Sequence, residues 1–534
     1  MRTFTFKGLF LTVLFMLLGS TAIQAADDGL NTTQVTIKLD EAGTLPNKIA
    51  VSRKNLITNL KIVGKINGTD LKFIREMAGR DFNGEKTDGK LSILDLSEAK
   101  IVEGGDAYVR YGVNYHTYND ELGDYAFYFC SGLTSLTLPS GVTEIGDYAF
   151  SICSGLTSLT IPSSVTEIGN SAFYCCSGLT SLTLPSSVTS IGNWAFYGCS
   201  GLTSLTLPSG VTSIGDETFS GCSGLTSLTI PSGVTSIGNY AFEVCSGLTS
   251  LTLPSSVTSI GGYAFYGCSG LTSLTLPSGV TWIGESAFEA WSGLTSLTLP
   301  SGVTSIGNSV FRGCSGLTSL TLPSSVTSIG WGAFRGCSGL TSLTLPSSVT
   351  EIGESAFQDC SGLTSLTIPS GVTSIGKNAF NGCSGLTSLP LPSSVTGIGW
   401  YAFKGCSRLT SLTIPSSVTW IGLEAFSGCS GLTSIYVYTK KLPELGPDVF
   451  TGCNAQNCTV YVPTGTSDAY KSSEFGYFEN IVEFDATGID KVAISTNVKE
   501  VSRYSANGQR LSAPAKGLNI VKYSDGSVKK VVVQ

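Results

Sequence analysis

Hydrophobic positions repeat along most of this chain with a period of 23 residues. From Cys176 the sequence reads CSGLTSLTLPSSVTSIGNWAFYG, and from Cys199 it reads CSGLTSLTLPSGVTSIGDETFSG. In each unit the leucines of LTSLTLP alternate with serine and threonine, which predicts a strand with its leucines pointing inward. A valine and an isoleucine follow as a second inward pair. Glycine then allows a sharp turn, and alanine and phenylalanine close the unit on a short helical or irregular segment.

Self-similarity at this period indicates a solenoid, because such a short unit buries its apolar face only against its neighbours. We therefore predict one continuous parallel sheet of about fifteen rungs in place of several globular domains. One phenylalanine per unit should stack as a buried ladder that includes Phe150, Phe173, Phe196, Phe219 and Phe242. The cysteines that keep the period are Cys130, Cys153, Cys176, Cys199, Cys222, Cys245, Cys268, Cys314, Cys337, Cys360, Cys383, Cys406 and Cys429.

The two ends of the chain depart from the repeat. Residues 1–25 are a basic start, an apolar run and small residues, which is typical of a signal peptide and predicts export. No other run is apolar and long enough to span a bilayer. We assign residues 26–120 to an N-terminal cap with a degenerate repeat, 121–484 to the array and 485–534 to a small C-terminal β domain. Hairpin signals at Asn507-Gly508 and Asp525-Gly526 support that last domain.

The unit L-x-x-L-x-L-P-x-x-V-x-x-I-G-x-x-A-F-x-x-C resembles the BspA-like branch of the leucine-rich repeat proteins over residues 122–452. The resemblance implies an α/β solenoid, namely a curved right-handed array with a parallel sheet, on a bacterial cell surface. It also implies adhesion to host proteins or to other cells. The C-terminal tail is similar to the sorting domains of type IX secretion, which implies a role in sorting or anchoring.

The charge of the repeat region limits its partners. The chain carries a formal net charge of −7, and between residues 133 and 432 we count five Lys and Arg against twelve Asp and Glu. An acidic surface with so few cations does not neutralise a row of phosphates. We therefore expect an extracellular protein or glycan as partner and no nucleic acid, and the charge also disfavours binding to anionic membranes.

The cysteines in register raise the question of disulfides or a metal, which export makes chemically possible. Stacked side chains point in parallel, whereas a disulfide needs a crossed geometry and zinc needs four converging ligands. We therefore predict a ladder of buried free thiols. Trp291 takes the one missing place and is too large for it, so that position either borders solvent or distorts the array. Cys175 lies off the ladder, as do Cys453 and Cys458, which form the only disulfide we consider.

Enzymatic chemistry has little support in the sequence. The single histidine, His116, lies among tyrosines in the segment from Tyr108 to Tyr118, without a nucleophile or an acidic motif at a recognisable spacing. Catalysis in that segment is a third hypothesis, behind two binding functions. We predict a protein that is not an enzyme and that has no cofactor and no metal.

Variation between repeats is concentrated beside Ile-Gly and before the cysteine. Aromatic residues occupy several of these positions, including Trp282 and Trp420 before isoleucine and Tyr174, Tyr197 and Tyr266 after phenylalanine. Exposed positions that drift freely would explain the pattern, but an aromatic face on a rigid scaffold also suits binding. The first hypothesis is a non-enzymatic surface adhesion or protein-interaction protein, and the alternative is a secreted glycan-binding accessory protein. The candidate ligand-binding residues, expected on one flank, are Tyr148, Trp194, Tyr240, Tyr263, Trp331, Trp400 and Tyr401.

Overall fold

The computed structural model describes residues 33–486, 500–505, 510–511, 517–523 and 528–533. The predicted signal peptide and the two predicted hairpin turns lie outside these residues. The described chain is a parallel β-solenoid of about 20 turns, with strands that pair with the equivalent strands 23 residues away. It has more turns than predicted because strands before and after the regular repeats join the stack. Among the described residues, no helix has the length and apolar character needed to cross a membrane.

The LTSLTLP segments form the front sheet, in which the leucines are buried and the serines and threonines face outward. Threonine hydroxyls also donate to carbonyls of the preceding repeat, as Thr157 Oγ1 does to Thr134 O at 3.0 Å, so side chains as well as backbone link the rungs. The strands of this sheet within and after the repeats are Ser135–Thr137, Ser158–Thr160, Ser204–Thr206, Ser227–Thr229, Ser250–Leu251, Ser296–Thr298, Ser319–Thr321, Ser342–Leu343, Ser365–Leu366, Ser411–Ile414, Ser434–Val437, Thr459–Pro463 and Asn480–Phe484.

A second lane of two-residue strands, the side sheet, runs along the solenoid where each repeat reaches its isoleucine. The isoleucine points into the core, and the residue before it points outward. These strands are Glu121–Leu122, Glu144–Ile145, Glu167–Ile168, Ser190–Ile191, Ser213–Ile214, Ser236–Ile237, Ser259–Ile260, Trp282–Ile283, Ser305–Ile306, Ser328–Ile329, Glu351–Ile352, Ser374–Ile375, Gly397–Ile398, Trp420–Ile421 and Glu444–Leu445.

The rest of each repeat forms turns, not a helix, and hydrogen bonds join these turns into a third lane, the turn ladder. In one repeat, Tyr148 N donates to Asn170 O at 2.9 Å and Phe150 N donates to Ala172 O at 2.8 Å. These bonds run from one repeat to the carbonyls of the next, whereas in the front sheet Thr157 N donates to Thr134 O of the preceding repeat. Both directions of bonding therefore fix the spacing of the repeats.

The phenylalanine ladder is confirmed and extends beyond the five predicted rings. Phe196 is 0% exposed, and its ring centroid lies 5.4 Å from that of Phe173 and 5.6 Å from that of Phe219, with nearly parallel planes. The stack runs from Phe127 to Phe450, where the rings of Phe475 and Phe478 pack across its end.

The N-terminal segment adds rungs to the front sheet and covers the first repeat. Its strands β1 (Val35–Leu39), β2 (Asn59–Ile66) and β3 (Ile93–Ile101) pair in parallel, and β3 pairs with Ser135–Thr137. Its helices are α1 (Leu45–Lys48), α2 (Val51–Lys54) and α3 (Gly68–Met77). The hairpin of β4 (Gly104–Tyr111) and β5 (Val113–Thr117) follows β3.

Carbonyls of the first repeat have no earlier repeat to bond, and the N-terminal segment supplies their donors. Tyr108 donates its hydroxyl to Asp124 O at 2.7 Å. The buried Arg75 donates Nη1 to Ala126 O at 2.9 Å, and Arg80 donates Nε to Phe129 O at 3.1 Å. These bonds satisfy carbonyl groups that no earlier repeat reaches, and an N-terminal cap over residues 26–120 stays a prediction.

After the last regular repeat the described chain contains α4 (Ser467–Lys471) and a 3₁₀ turn at Glu474–Tyr477. The described parts of the tail form one antiparallel sheet. Its strands are Glu500–Ser505, Arg510–Leu511, Gly517–Tyr523 and Val528–Val533. A sorting or anchoring role for residues 485–534 stays a prediction.

The prediction of a continuous front sheet is wrong in one respect, because the described sheet is divided into segments. The rung through Leu274 forms no strand, and the rung through Leu182 is joined by a single bridge between Ser181 and Ser204. Trp291 is 0% exposed, and its indole Nε1 donates to Leu271 O. Of the two alternatives for Trp291, its burial excludes a position at the solvent border and leaves a distortion of the array. The interruption at the Leu182 rung has another cause, because no tryptophan takes the cysteine position there.

Candidate interaction surface

The side face of the solenoid consists of two columns of exposed and half-buried positions. One is the residue before isoleucine, and the other, the first slot, is the first residue after Ile-Gly. The carboxyl group of Glu144 in the first column interacts with Asp124 and Asp147 in the first slot, so the columns lie side by side. Burial and the neighbouring carboxylates of Glu167 and Glu121, in register with Glu144, raise the pKa of Glu144.

The next residue of each repeat, the second slot, has a restricted backbone. Tyr148, Trp194, Tyr240, Tyr263 and Tyr401 have φ angles of 56°, 56°, 54°, 55° and 59°, in the left-handed region that bulky residues seldom adopt. This conformation accompanies the turn-ladder bond that each of these N–H groups makes to the next repeat. The slot therefore varies in side chain but not in backbone conformation.

The candidate residues of the second slot are half-buried, and several of their rings stack on neighbours. The rings of Tyr240 and Tyr263 lie 4.7 Å apart with an interplanar angle of 4°. Tyr148 stacks on Tyr125 at 4.9 Å, within a cluster in which Tyr111, Tyr115 and Tyr128 also contact Tyr125.

This tyrosine cluster fastens the β4–β5 hairpin to the first repeats. The segment from Tyr108 to Tyr118 is thus largely a hairpin and not a loop. Within it Tyr108 is buried and His116 is exposed. Burial raises the pKa of Tyr125 well above its usual range. The rings fill the space between one another, which indicates packing and gives no support to a reactive site.

Trp331 and Trp400 are the exposed members of the candidate set. They occupy the first slot and are 42% and 50% exposed. Trp282, in the column before isoleucine, is 55% exposed and was not among the seven candidates, although the sequence places it at a variable position. Trp420 lies in the same column as Trp282 and is half-buried. We call Trp282, Trp331, Trp400 and Trp420 the tryptophan track.

Two glycines lie against the last two tryptophans of the track, and one of them, Gly422, belongs to the Ile-Gly pair of the repeat. A Cβ atom on Gly397 would lie 3.4 Å from Cε3 of Trp420, and one on Gly422 would lie 2.5 Å from Cδ1 of Trp400. The ring of Trp420 therefore reaches back over the preceding repeat, and the ring of Trp400 leans onto the following one. The ammonium group of Lys377 lies 5.8 Å from the ring centroid of Trp400.

A ladder of Asn and Asp side chains occupies the first slot of the earlier repeats, and sequence reasoning missed it. Each Oδ1 accepts a hydrogen bond from the first-slot N–H of the next repeat, as Asn170 does from Asn193 at 2.9 Å and Asn193 does from Asp216 at 2.8 Å. The ladder runs from Asp124 to Gly262 and recurs once between Asn308 and Trp331. Asn or Asp at successive intervals of 23 residues was the available signal.

The cysteine ladder is confirmed as a row of buried free thiols. From Cys153 onward, each ladder thiol donates to a phenylalanine carbonyl of the preceding repeat, as Cys222 Sγ does to Phe196 O at 3.1 Å. Burial raises the pKa of Cys222 to about 12.

The prediction that Cys453 lies off the ladder is wrong, because its Sγ donates to Phe426 O. Cys453 and Cys458 are both free, and within the described ranges no group of side chains has the arrangement of a metal site.

Comparison with known proteins gives the following similarities. The model of the BspA type leucine rich repeat region matches residues 120–249, 235–364 and 352–475. A leucine-rich repeat protein from Bacteroides ovatus is 31% identical, with a TM-score of 0.50 over 60% of this chain and 88% of that one. A leucine rich cell surface protein from Faecalibacterium prausnitzii is 32% identical, with a TM-score of 0.40 over 62% of this chain and 85% of that one. Curated proteins yield no match.

Proposed function

Because the chain belongs to the BspA-type leucine-rich repeat family, we propose that it is a non-enzymatic surface protein that binds proteins of host or neighbouring cells. Leucine-rich repeat scaffolds of this kind are typically protein-interaction or surface proteins. The family model describes a repeat and not a catalytic domain, which is consistent with binding without chemistry.

The observation that carries the proposal is the tryptophan track on the side face. A rigid array holds Trp282, Trp331 and Trp400 with about half of each side chain exposed, at positions where other repeats carry small or polar residues. Tryptophan is the residue type most enriched among the residues that dominate binding energy at interfaces. A partner that lies along the face would contact several rungs at once.

Export and surface attachment belong to the same proposal. Residues 1–25 would direct secretion, and residues 485–534 would sort or anchor the protein at the cell surface. BspA-like proteins are typically found at the bacterial cell surface or secreted, which supports this location. Tyr401 follows Trp400 in the same repeat and would contribute a secondary contact beside the track. The other half-buried candidates, which lie in repeats before the track, are Tyr148, Trp194, Tyr240 and Tyr263.

Binding of the full mature chain to immobilised extracellular-matrix proteins tests the proposal. The double variant Trp331→Ala, Trp400→Ala should weaken binding about tenfold or more, with thermal unfolding nearly unchanged because both side chains are exposed. Val244→Gly is the matched control, since Val244 is exposed on the turn ladder where Gly221 and Gly267 stand in other repeats. Binding that the double variant leaves unaltered, with the fold intact, would refute the side face as the binding surface.

A further inference from the structure

The tryptophan track runs along the solenoid axis in the two neighbouring columns of the side face. Trp282 and Trp420 are six repeats apart, or about 29 Å at about 4.8 Å per rung. Trp331 follows Trp282 by two repeats, Trp400 follows Trp331 by three, and Trp420 follows Trp400 by one. The four side chains are therefore spread over seven successive repeats along the solenoid axis.

At the end of the track, Gly397, Trp400 and Trp420 all differ from the residues that most repeats carry at the same positions. Gly397 is the only glycine among the residues before isoleucine, and it lies where the ring of Trp420 reaches back over its repeat. A longer residue there, such as the glutamate that stands in the same column at Glu351, would occupy the space under that ring. Gly397, Trp400 and Trp420 together form what we call the platform, in which two aromatic rings lie on adjacent rungs.

The surroundings of the platform are rich in hydroxyl groups and carry one charge of each sign, with Lys377 beside Trp400 and Glu444 paired with Trp420. Thr396 and Thr419 are exposed beside it, and Lys377 is the only basic residue in the two columns of the side face. Stacking of nucleic-acid bases on aromatic rings needs a positively charged groove as well, which this face lacks. A ligand that suits it has apolar faces for the rings, hydroxyls for neutral hydrogen bonds and no net charge.

We propose that the tryptophan track binds an extended neutral polysaccharide whose chain runs parallel to the solenoid axis. The C–H groups on one face of a pyranose pack against the electron-rich face of an aromatic ring. A linear chain of such rings would contact tryptophans spaced by whole rungs, with several weak contacts adding through multivalency. The inference rests on the side face being the binding surface, and it names a ligand class different from the protein partner proposed above.

Affinity electrophoresis of the full mature chain in gels containing soluble mixed-linkage β-glucan, xyloglucan or glucomannan tests the inference. At least one of these polysaccharides should retard the protein. The variant Trp400→Asn, Trp420→Ser carries residues that other repeats have in the same positions, such as Asn308 and Ser374, and should weaken binding at least tenfold. Gly397→Glu should also weaken binding although both tryptophans remain, whereas Val244→Gly should bind like the parent.

Two further measurements identify the mode of binding. Trisaccharides should bind more weakly than the long polymer, since they span only part of the track. Affinity should change less than twofold between low and high salt, because a neutral ligand has no ionic contacts to screen. Strong weakening by salt would overturn the inference in favour of a charged partner.

The outcomes separate this inference from the proposed function. Failure of all three polysaccharides to retard the protein, with tryptophan-dependent binding to matrix proteins retained, would overturn the glycan site and leave the protein-interaction function standing. Retardation that depends on Trp400 and Trp420, without binding to any matrix protein, would support the glycan site and contradict adhesion to those proteins. Retardation that the double variant does not change would also overturn the inference.

Discussion

The repeats before residue 284 and those after it share one core but present different surfaces. Between residues 133 and 283 there are six Asp and Glu and no Lys or Arg, a formal charge of −6. Between 284 and 432 there are again six Asp and Glu, now with five Lys and Arg, a formal charge of −1. The first half carries the Asn and Asp ladder, and the second carries most of the tryptophan track.

The difference shows that one position of a repeat can serve structure in one region and contact in another. In the first half, the first-slot side chain of Asn193 bonds the backbone of the next repeat. In the second half Trp331 and Trp400 occupy that slot. The backbone bonds of the turn ladder continue there, since Asn378 N donates to Trp400 O at 2.9 Å. Backbone bonds of the turn ladder are still made at these two residues, while their rings stay exposed and available for binding.

The largest expected effect is common to both halves. Phe196→Ala in the first half and Phe334→Ala in the second should each lower the free energy of unfolding by about 3–5 kcal/mol, because both rings are 0% exposed and lie within the same stack. Chemical denaturation measures the change. A loss below about 1 kcal/mol in only one variant would show that the two halves do not share one core.

A smaller effect should separate the halves. Asn193→Ala removes the acceptor of the Asp216 N–H and should lower the free energy of unfolding by about 1 kcal/mol. Glu354→Ala in the same slot of the second half is the control, with an expected change within about 0.5 kcal/mol. Equal losses in the two variants would contradict a structural role confined to the Asn and Asp ladder.

The stability of the first half should depend on pH through Glu144, which lies in register with Glu121 and Glu167 in the column before isoleucine. The raised pKa of Glu144 means that its ionisation costs the folded state stability, a cost that is absent at low pH and grows as pH rises through that pKa. Glu144→Gln should therefore raise the melting temperature at neutral pH, with the gain disappearing in acid. Glu351→Gln is the control, because Ser328 and Ser374 flank Glu351 in its column. A gain for Glu144→Gln that persists in acid would contradict the electrostatic cause.

The smallest expected effect on stability concerns Cys175, which lies one residue before the ladder and is half-buried. In the native protein an alkylating reagent should label Cys175 first, because its side chain is only half-buried whereas the ladder thiols are buried. Cys175→Gly supplies the residue found at Gly198 and Gly221 and should abolish this labelling without lowering the melting temperature. Early labelling of Cys222, detected by mass spectrometry of peptides, would show that the first half opens readily.

Much of the fold could be predicted because the repeated sequence shows which residues of neighbouring units contact one another. The burial of Leu179, Val188 and Phe196 follows from their spacing, since equivalent residues of a solenoid contact one another. The candidate surface was predicted less well. Trp194 and Tyr240 looked equivalent to Trp331 and Trp400 as variable aromatics, but one residue of offset places them in the half-buried second slot.

The sequence by itself determined the period, the inward residues, the thiol ladder and the uneven distribution of charge, because each depends on the order of residues within one unit. Only the tertiary structure decided which face each variable residue joins, how Gly397 admits the ring of Trp420, and that Trp291 is buried. These features depend on contacts between residues 20 or more positions apart, such as the bond from Trp291 to Leu271. Such contacts exist only once neighbouring repeats are stacked.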